Sequence, residues 1–535
     1  MCTVAAMAVL TGCGGDKKET AAAPAEANTT AAVTEAAKTE AETTAAVQTE
    51  AGGEKNLVMP SASCVANLNP LLEGYKEAAM LNPIYDPLYV IDVNETRYYL
   101  ADSYEVSEDG MQITVKLKEG LKWHDGEAIT ADDMIFTMDV CSDTNNGAAG
   151  TNIAILNDQP VKYEKVDDLT VKVSLPMASA SYADLLGGLT LIPEHVFEGN
   201  PSVVSAGEAN MKGIGSGPYK VTEFKQDEYL LLEKYEDYYM GAPSIDKVTF
   251  RIISDLSAQE VALMNGEVNF MELANAPAVA KYEADPNFTV VKYPEGRVNY
   301  LAVNKFCETV QDPKVVEAVF AALNRDEIIA GAYGDGMAES ANSIFSNVNT
   351  FYDPSVEGYT QDVEKAKQLV KETGLDSKTL TLYFNSERVY MKESAQIIQQ
   401  QLKNVGINLE VIPLESAGFF EKVFGTDGDY EFYLNGYGAV GDPDQVVAGM
   451  YNGTWGVNLA VSDEVAQLWK DARTVYTPEE RAEIYKQIQI QTRDELTCYP
   501  IAYPNYVFVT TSNIKGADTI KRTPVFEDYT KLTME

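Results

Sequence analysis

Histidine is nearly missing from this 535-residue chain, which has two, and tryptophan is scarce at three. Two histidines exclude a His-rich metal centre by count. The cysteines Cys2, Cys13, Cys64, Cys141, Cys307 and Cys498 lie far apart with no Cys-x-x-Cys pair, so neither a disulfide framework nor a zinc pattern is present. Beyond Cys13, each reads as a small buried hydrophobe. Positive charge is the next shortage: Lys and Arg number 41 against 81 Asp and Glu, a formal net charge of −40. Such a surface repels phosphate backbones and anionic lipid headgroups, which argues against nucleic-acid binding and against a basic membrane-docking face. No Gly-x-Ser-x-Gly elbow marks a hydrolase, and no internal repeat marks a solenoid.

What is there suffices for more than one core, since 45 % of the residues are hydrophobic. The apolar start, residues 1–12, is too short to span a bilayer and runs into Leu10-Thr11-Gly12-Cys13, which resembles a bacterial lipobox with Cys13 as the lipid-bearing residue. No Lys or Arg precedes the apolar run, so the natural start is expected a few residues upstream. Residues 14–55 are nearly all Ala, Thr, Glu, Gly, Lys and Pro without aromatics. They cannot bury enough apolar surface to offset their ordering entropy, and are expected to form a disordered tether. Two or three acyl chains on Cys13 would hold such a tether stably at a membrane.

Residues 100–140 organise the globular part. Ile113, Val115 and Leu117 alternate with Gln112, Thr114, Lys116 and Lys118, the pattern of a strand with one apolar face. Glu108-Asp109-Gly110 turns the chain before that strand, and Asp125-Gly126 turns it after. Thr130 and Asp133 form a capping box for a helix carrying Met134, Ile135, Met138 and Cys141 on one face. The run ADSYEVSEDGMQITVKLKEGLKWHDGEAITADDMIFT, with its Trp-His-Asp-Gly and Thr-Ala-Asp-Asp elements, closely resembles the signature of the family 5 extracellular solute-binding proteins of ABC transporters. That family holds dipeptide-, oligopeptide- and nickel-binding lipoproteins.

The rest of the chain fits the same resemblance. Gly213-Ile214-Gly215-Ser216-Gly217-Pro218-Tyr219 is similar to the family's "GTGPY" turn; a strand rather than a helix follows it, which argues against a phosphate loop. Ser257 with Glu260 predicts a capped helix ending at Gly266, and Asp312-Pro313 and Asp362 head two more. Thr477, Pro478 and Glu480 predict a capping box for the last helix. The alternation of strands and helices argues for α/β layers. The resemblance implies a two-lobed, periplasmic-binding-protein-like α/β fold of type II with a hinge between the lobes and a small extra domain inserted in the first. Its divisions are residues 1–13 as signal and lipobox, 14–55 as tether, 56–92 with 187–294 and 505–535 as first lobe, 93–186 as extra domain, and 295–504 as second lobe.

A cleft between lobes is the expected ligand site. The resemblance points to the second-lobe segment with Tyr437, Asp442 and Asp444, which in peptide binders presents an aromatic and an acidic residue to the ligand's amino terminus. Here the family's Trp is matched by Tyr437 and its acidic position by Ala439, leaving Asp442 either as a substitute or as an Asx cap on the turn at Pro443. Arg388 lies near where peptide binders place a carboxylate-binding arginine, and Arg297 stands where the second lobe begins. Tyr300 and Trp455 are candidate stacking platforms, and Ser63 and Asn67 candidate hydrogen-bonding groups. An enzyme would have to use Asp442 and Asp444, which stand too close across Pro443 to flank a scissile bond. His124 and His195 have no nucleophile near them in sequence and read as structural. No metal and no cofactor are expected.

The function implied is capture of an oligopeptide by a lipid-anchored, monomeric, non-enzymatic protein on the extracytoplasmic face of the cell membrane, with delivery to an ABC permease and its ATPase. Metal chelates, opines and oligosaccharides remain alternative solutes, a hydrolase in the same cleft and a peptide sensor the rival classes.

Overall fold

The computed structural model describes residues 54–72, 80–91, 95–438, 441–451, 459, 461–519 and 528–535. Cys2, Cys13, most of the tether, Ala439 and Trp455 lie outside the described residues.

Three bodies follow from three patterns of apolar residues. In the first, the strand Asn56–Ser61 runs parallel to Lys247–Ile252, and Tyr229–Lys234 and Tyr219–Lys225 extend the sheet antiparallel. Leu57, Leu230, Leu232, Val248 and Phe250 fill its core. The second is an antiparallel sheet of Ala101–Val106, Gln112–Leu117, Thr170–Ser174 and Lys162–Asp167. Its alternation works as the sequence requires: Ile113, Val115 and Leu117 turn inward and join Trp123, Met134, Val171 and Val173 in one core.

The helix after it, Ala131–Ser142, opens on the expected capping box, with Thr130 N–H donating to Asp133 Oδ2 at 2.9 Å. It buries more than the one face predicted. Phe136 and Val140 are covered along with Met134, Met138 and Cys141, while Ile135 is half-buried, because the segment carrying Phe197 packs on it from the other side.

The third body has a sheet whose central strands, Arg297–Val303 and Phe432–Gly438, are buried on both faces, while Asn408–Leu414 is partly exposed. Arg297–Val303 pairs antiparallel with Phe432–Gly438, which lies parallel to Thr379–Asn385, and that in turn to Asn408–Leu414. Leu301, Leu380, Leu382, Ile398 and Leu402 pack on one side, and Val298, Tyr300, Tyr433, Tyr437 and Trp469 on the other.

One strand ties the first body to the third. Cys498–Thr511 pairs through its first half with Arg297–Val303 and Ala338–Ser340, and through its second half with Phe288–Pro294 and Phe270–Glu272. Beside it the chain crosses a second time at Glu295-Gly296, where Glu295 N–H donates to Pro504 O at 2.9 Å.

The sheet of the second body is attached to the first, and a histidine makes the joint. His124 Nδ1 accepts the Gly215 N–H at 3.2 Å while Nε2 donates to Gly217 O at 2.9 Å, which fixes the neutral tautomer. Burial pushes its pKa down to about 4.

Asp86 sits at the same junction, buried beneath the hydroxyls of Tyr238 (2.9 Å) and Tyr239 (2.8 Å). Burial raises its pKa to about 7, against the lowering effect of those two hydroxyls; Asp528 raises it further and Lys118 lowers it. Between pH 4 and 7 the folded protein therefore holds a proton that the unfolded chain has lost, so this group's contribution to stability falls as pH rises. His124 contributes with the opposite slope between about pH 4 and 6.5. Comparing Asp86→Asn with the parent isolates the aspartate. The melting temperature of the variant relative to the parent should climb as pH goes from 4 to 7, by an amount on the order of a few kcal/mol of stability. A constant difference across that range would contradict the assignment.

Two caps differ from expectation. The helix Leu256–Met264 is capped by Asp255, whose side chain accepts from Ala258 N at 2.9 Å, with Ser257 already inside the first turn. Aspartate is as good an N-cap as serine and stands first in the chain. Thr477 is the N-cap residue of Pro478–Asp494, but its side chain makes no capping bond; Pro478 at the first position and the acids Glu479 and Glu480 in the first turn favour the start instead.

Candidate functional site

The crossing at Glu295-Gly296 delivers Arg297 to the start of the second-lobe strand, beside the carboxyl end of Phe432–Gly438. Arg297 is half-buried and held: Nε donates to Asn299 Oδ1 (3.2 Å) and Nη2 to Gly436 O (2.8 Å). A side chain at Gly436 would displace both residues, since a Cβ there would lie 2.1 Å from Asn299 Oδ1 and 2.9 Å from Arg297 Nε. Asn299 Nδ2 donates in turn to the Tyr333 hydroxyl at 2.9 Å, and Tyr333 stacks on Tyr390 with ring centroids 5.3 Å apart.

Arg388 comes to the same place from the carboxyl end of Thr379–Asn385. It is exposed and is the N-cap residue of the sixteen-residue helix Val389–Asn404. An arginine side chain offers no acceptor, so the cap leaves first-turn N–H groups and the positive end of the helix dipole facing outward. The fields of the two guanidiniums reach a common neighbour. Burial raises the pKa of Glu295, and the positive charges of Arg297 and Arg388 hold it back. Tyr390 feels both in the same way, its hydroxyl raised by burial and lowered by the two arginines. The crevice outside the carboxyl ends of parallel strands is where open α/β sheets bind ligands. What this corner offers is two cationic groups and a helix N-terminus, an aromatic pair, and one acid at the crossing.

The other residues singled out from sequence fall elsewhere. Tyr300 and Tyr437 are buried in the second-lobe core, 5.3 Å apart, and the Tyr437 hydroxyl donates to Ile344 O at 2.6 Å. They are packing residues beneath the site rather than platforms open to a ligand. Asp442 is also buried. Its carboxylate takes Arg481 Nη1 at 2.6 Å and Nη2 at 3.0 Å, accepts the Tyr485 hydroxyl at 3.2 Å, and caps the turn by accepting Asp444 N–H at 3.0 Å. That occupies both oxygens in structural work, the Asx cap among it. Asp444 is bound to Arg473 at 2.6 Å.

Ser63 is exposed and Asn67 half-buried in the first-lobe loop, with Asn67 Oδ1 accepting Asn69 N–H at 2.8 Å. The structure thus brings Arg388 and Arg297 to one corner, keeps Tyr300 and Tyr437 in the core beneath it, and commits Asp442 to Arg481. Glu295, Tyr333 and Tyr390 escaped sequence reasoning. A lone acid between Pro294 and Gly296 at the lobe crossing was a readable signal; the two tyrosines, among 31 in the chain, were not.

Among the described residues no group of three His, Cys, Asp or Glu side chains could hold a metal ion, and no helix is long and apolar enough to cross a membrane.

Comparison with known proteins agrees with the fold. Residues 95–458 match the profile of bacterial extracellular solute-binding proteins, family 5 Middle. An ABC transporter substrate-binding protein of Listeria monocytogenes, 33 % identical, superposes with a TM-score of 0.84 over 90 % of this chain and 99 % of its own. The oligopeptide-binding protein AppA of Bacillus subtilis, solved with a nonapeptide, is 26 % identical with a TM-score of 0.70 over 90 % of this chain and 99 % of its own. The dipeptide-binding protein of Escherichia coli K12 is 27 % identical over 493 residues, 86 % of this chain and 92 % of that protein. The chain has the two-lobed periplasmic-binding-protein-like α/β fold expected from its sequence.

Proposed function

The chain belongs to the bacterial extracellular solute-binding proteins of family 5, and from that premise we infer that it captures oligopeptides in the cleft between its lobes and hands them to an ABC permease driven by its ATPase. The observation that carries the peptide reading is the corner at the lobe crossing: Arg297, Arg388 and the N-terminus of Val389–Asn404 for a carboxylate. Glu295 stands beside them for a cationic group, supplying the acid that the family's amine-binding position lacks at Ala439. Tyr390 and Tyr333 offer an aromatic wall. Ser63 and Asn67, from the first-lobe loop, and Trp455 complete the ligand set.

Residues 56–92, 187–294 and 505–535 act as one lobe with the extra domain, 93–186, and residues 295–504 as the other. Contacts to a ligand on both lobes exist together only when the hinge is closed, so binding shifts the population toward the closed form. The reaction is binding and release, without bond making. The protein works as a monomer, tethered outside the cell membrane through lipid on Cys13; Cys13→Ser should release it from membranes, and continued anchoring would contradict the tether.

The carboxylate assignment is tested by calorimetry on ligand-stripped protein with a peptide and its C-terminal amide. The free acid should bind about 10- to 100-fold tighter, and Arg388→Ala should abolish that preference. Equal affinity of acid and amide for the parent would remove the carboxylate from the account.

A further inference from the structure

The loop that follows the strand Phe432–Gly438 reaches across to the extra domain. Asp442 N–H donates to Asp184 Oδ2 at 3.0 Å. The Ser181 hydroxyl donates to Asp444 Oδ2 at 3.2 Å and accepts Gln445 Nε2 at 2.6 Å. Two bonds to main-chain carbonyls flank these: Ala180 N–H to Arg473 O at 2.8 Å, and the Tyr476 hydroxyl to Gly110 O at 3.3 Å. Ser181 is wholly buried although it lies on the face of the extra domain turned to the second lobe.

Each side of this contact is held by its own body. On the second lobe the loop is fixed by the Asp442–Arg481 pair, by Arg473 on Asp444, and by Asn349 Nδ2 donating to Gly441 O at 2.8 Å. Gly441 stands at φ +87°, a conformation that favours glycine, and a Cβ there would come 3.1 Å from Asp184 Oδ2 and crowd the contact. On the other side, Tyr182 anchors the short helix Tyr182–Gly187 by donating to Ile153 O at 2.5 Å. The extra domain is fastened to the first lobe through His124, through Tyr99 N–H to Leu88 O and through Tyr235 to Trp123 O.

The hinge therefore joins the lobes at one place and these five hydrogen bonds join them at another. Every pair among them would part if the second lobe swung away from the rest. We propose that Ser181 and Asp184 of the extra domain are positioning residues for solute capture: they form a clasp with Asp442–Gln445 that makes up part of the free energy of closure and so sets how tightly the solute is held. This rests on the reading of the protein as a two-lobed peptide binder, and it gives the extra domain a task in that binding. A ligand's apparent dissociation constant is its intrinsic value divided by the closed fraction. The clasp acts on that fraction without touching the ligand.

The test is Ser181→Ala combined with Asp184→Ala, and separately Ser181→Asp, which sets a like charge against Asp444. Stopped-flow kinetics with a peptide bound by the parent should show koff raised by about 3- to 30-fold and kon changed by less than about 2-fold. Small-angle scattering of the ligand-free double variant should give a larger radius of gyration than the parent. Unchanged koff and an unchanged radius would overturn the clasp. Should the parent bind no peptide at all, the peptide reading fails on its own, and the scattering comparison of ligand-free proteins still decides the clasp: a larger radius supports it, the same radius refutes it.

Discussion

Asp442→Ala is expected to destabilise the second lobe by about 3–5 kcal/mol, because it leaves the Arg481 guanidinium buried with its counter-charge removed. Arg481 is as buried as its partner. It stacks over Phe351 and Tyr485 at 4.8 and 5.2 Å and donates through Nε to Ala472 O at 3.1 Å. Its two terminal nitrogens are matched to the two oxygens of Asp442, and Tyr485 bridges the pair by accepting from one partner and donating to the other. The net value of such a pair against a packed apolar replacement is small, since desolvation offsets most of the attraction. Arg481→Met added to Asp442→Ala should therefore restore a large part of the loss. Guanidinium unfolding followed by Trp469 fluorescence reads this lobe directly, as Trp469 lies 5.7 Å from Tyr485. A loss below about 1 kcal/mol for Asp442→Ala would mean that the pair is solvated and that Asp442 is available to a ligand.

The second large effect belongs to Gly215. A Cβ placed there would meet Ile84 O at 2.0 Å and Ile84 C at 2.8 Å, main-chain atoms that cannot swing aside. Relief requires the turn to move, and with it the bonds that fasten the extra domain: Gly215 N–H to His124 Nδ1, His124 N–H to Gly215 O, and His124 Nε2 to Gly217 O. Overpacking of this kind costs about 1–3 kcal/mol in a core where side chains can adjust. Against backbone, with buried hydrogen bonds at stake, Gly215→Val should reach or exceed the top of that range. As His124 loses its cover its pKa should return from about 4 toward the ordinary value. Both changes are measurable in one sample, by calorimetric melting and by the NMR titration of the His124 ring. A variant with parental melting temperature and an unmoved His124 would show that the turn has slack.

Much of the scaffold was legible in the chain because it is written in neighbours. The Ile113, Val115, Leu117 alternation, the Thr130–Asp133 cap and the glycine stop at Gly266 depend on residues a few positions apart, and they appear in the structure where the pattern places them. Caps failed where a competitor stood close by, as with Asp255 ahead of Ser257.

The site was harder, because its residues are joined only by the fold. Asp442 looks like a ligand acid until Arg481, 39 positions later, is seen to close on it. Tyr437 and Tyr300 look like platforms until the two-sided burial of their sheet is known. Arg388 with Arg297 could be named from sequence, but not that both act on Glu295 and Tyr390. The clasp joins residues about 260 positions apart and leaves no periodic trace.

The solute that fills the cleft can be identified directly. Protein purified gently, without added ligand, should be denatured and its released solute identified by mass spectrometry against a protein standard. The expected result is oligopeptides with free carboxyl ends at a stoichiometry approaching one per chain. A metal chelate, an opine or an oligosaccharide in that position, with no peptide, would contradict the reading of the lobe-crossing corner as a peptide site.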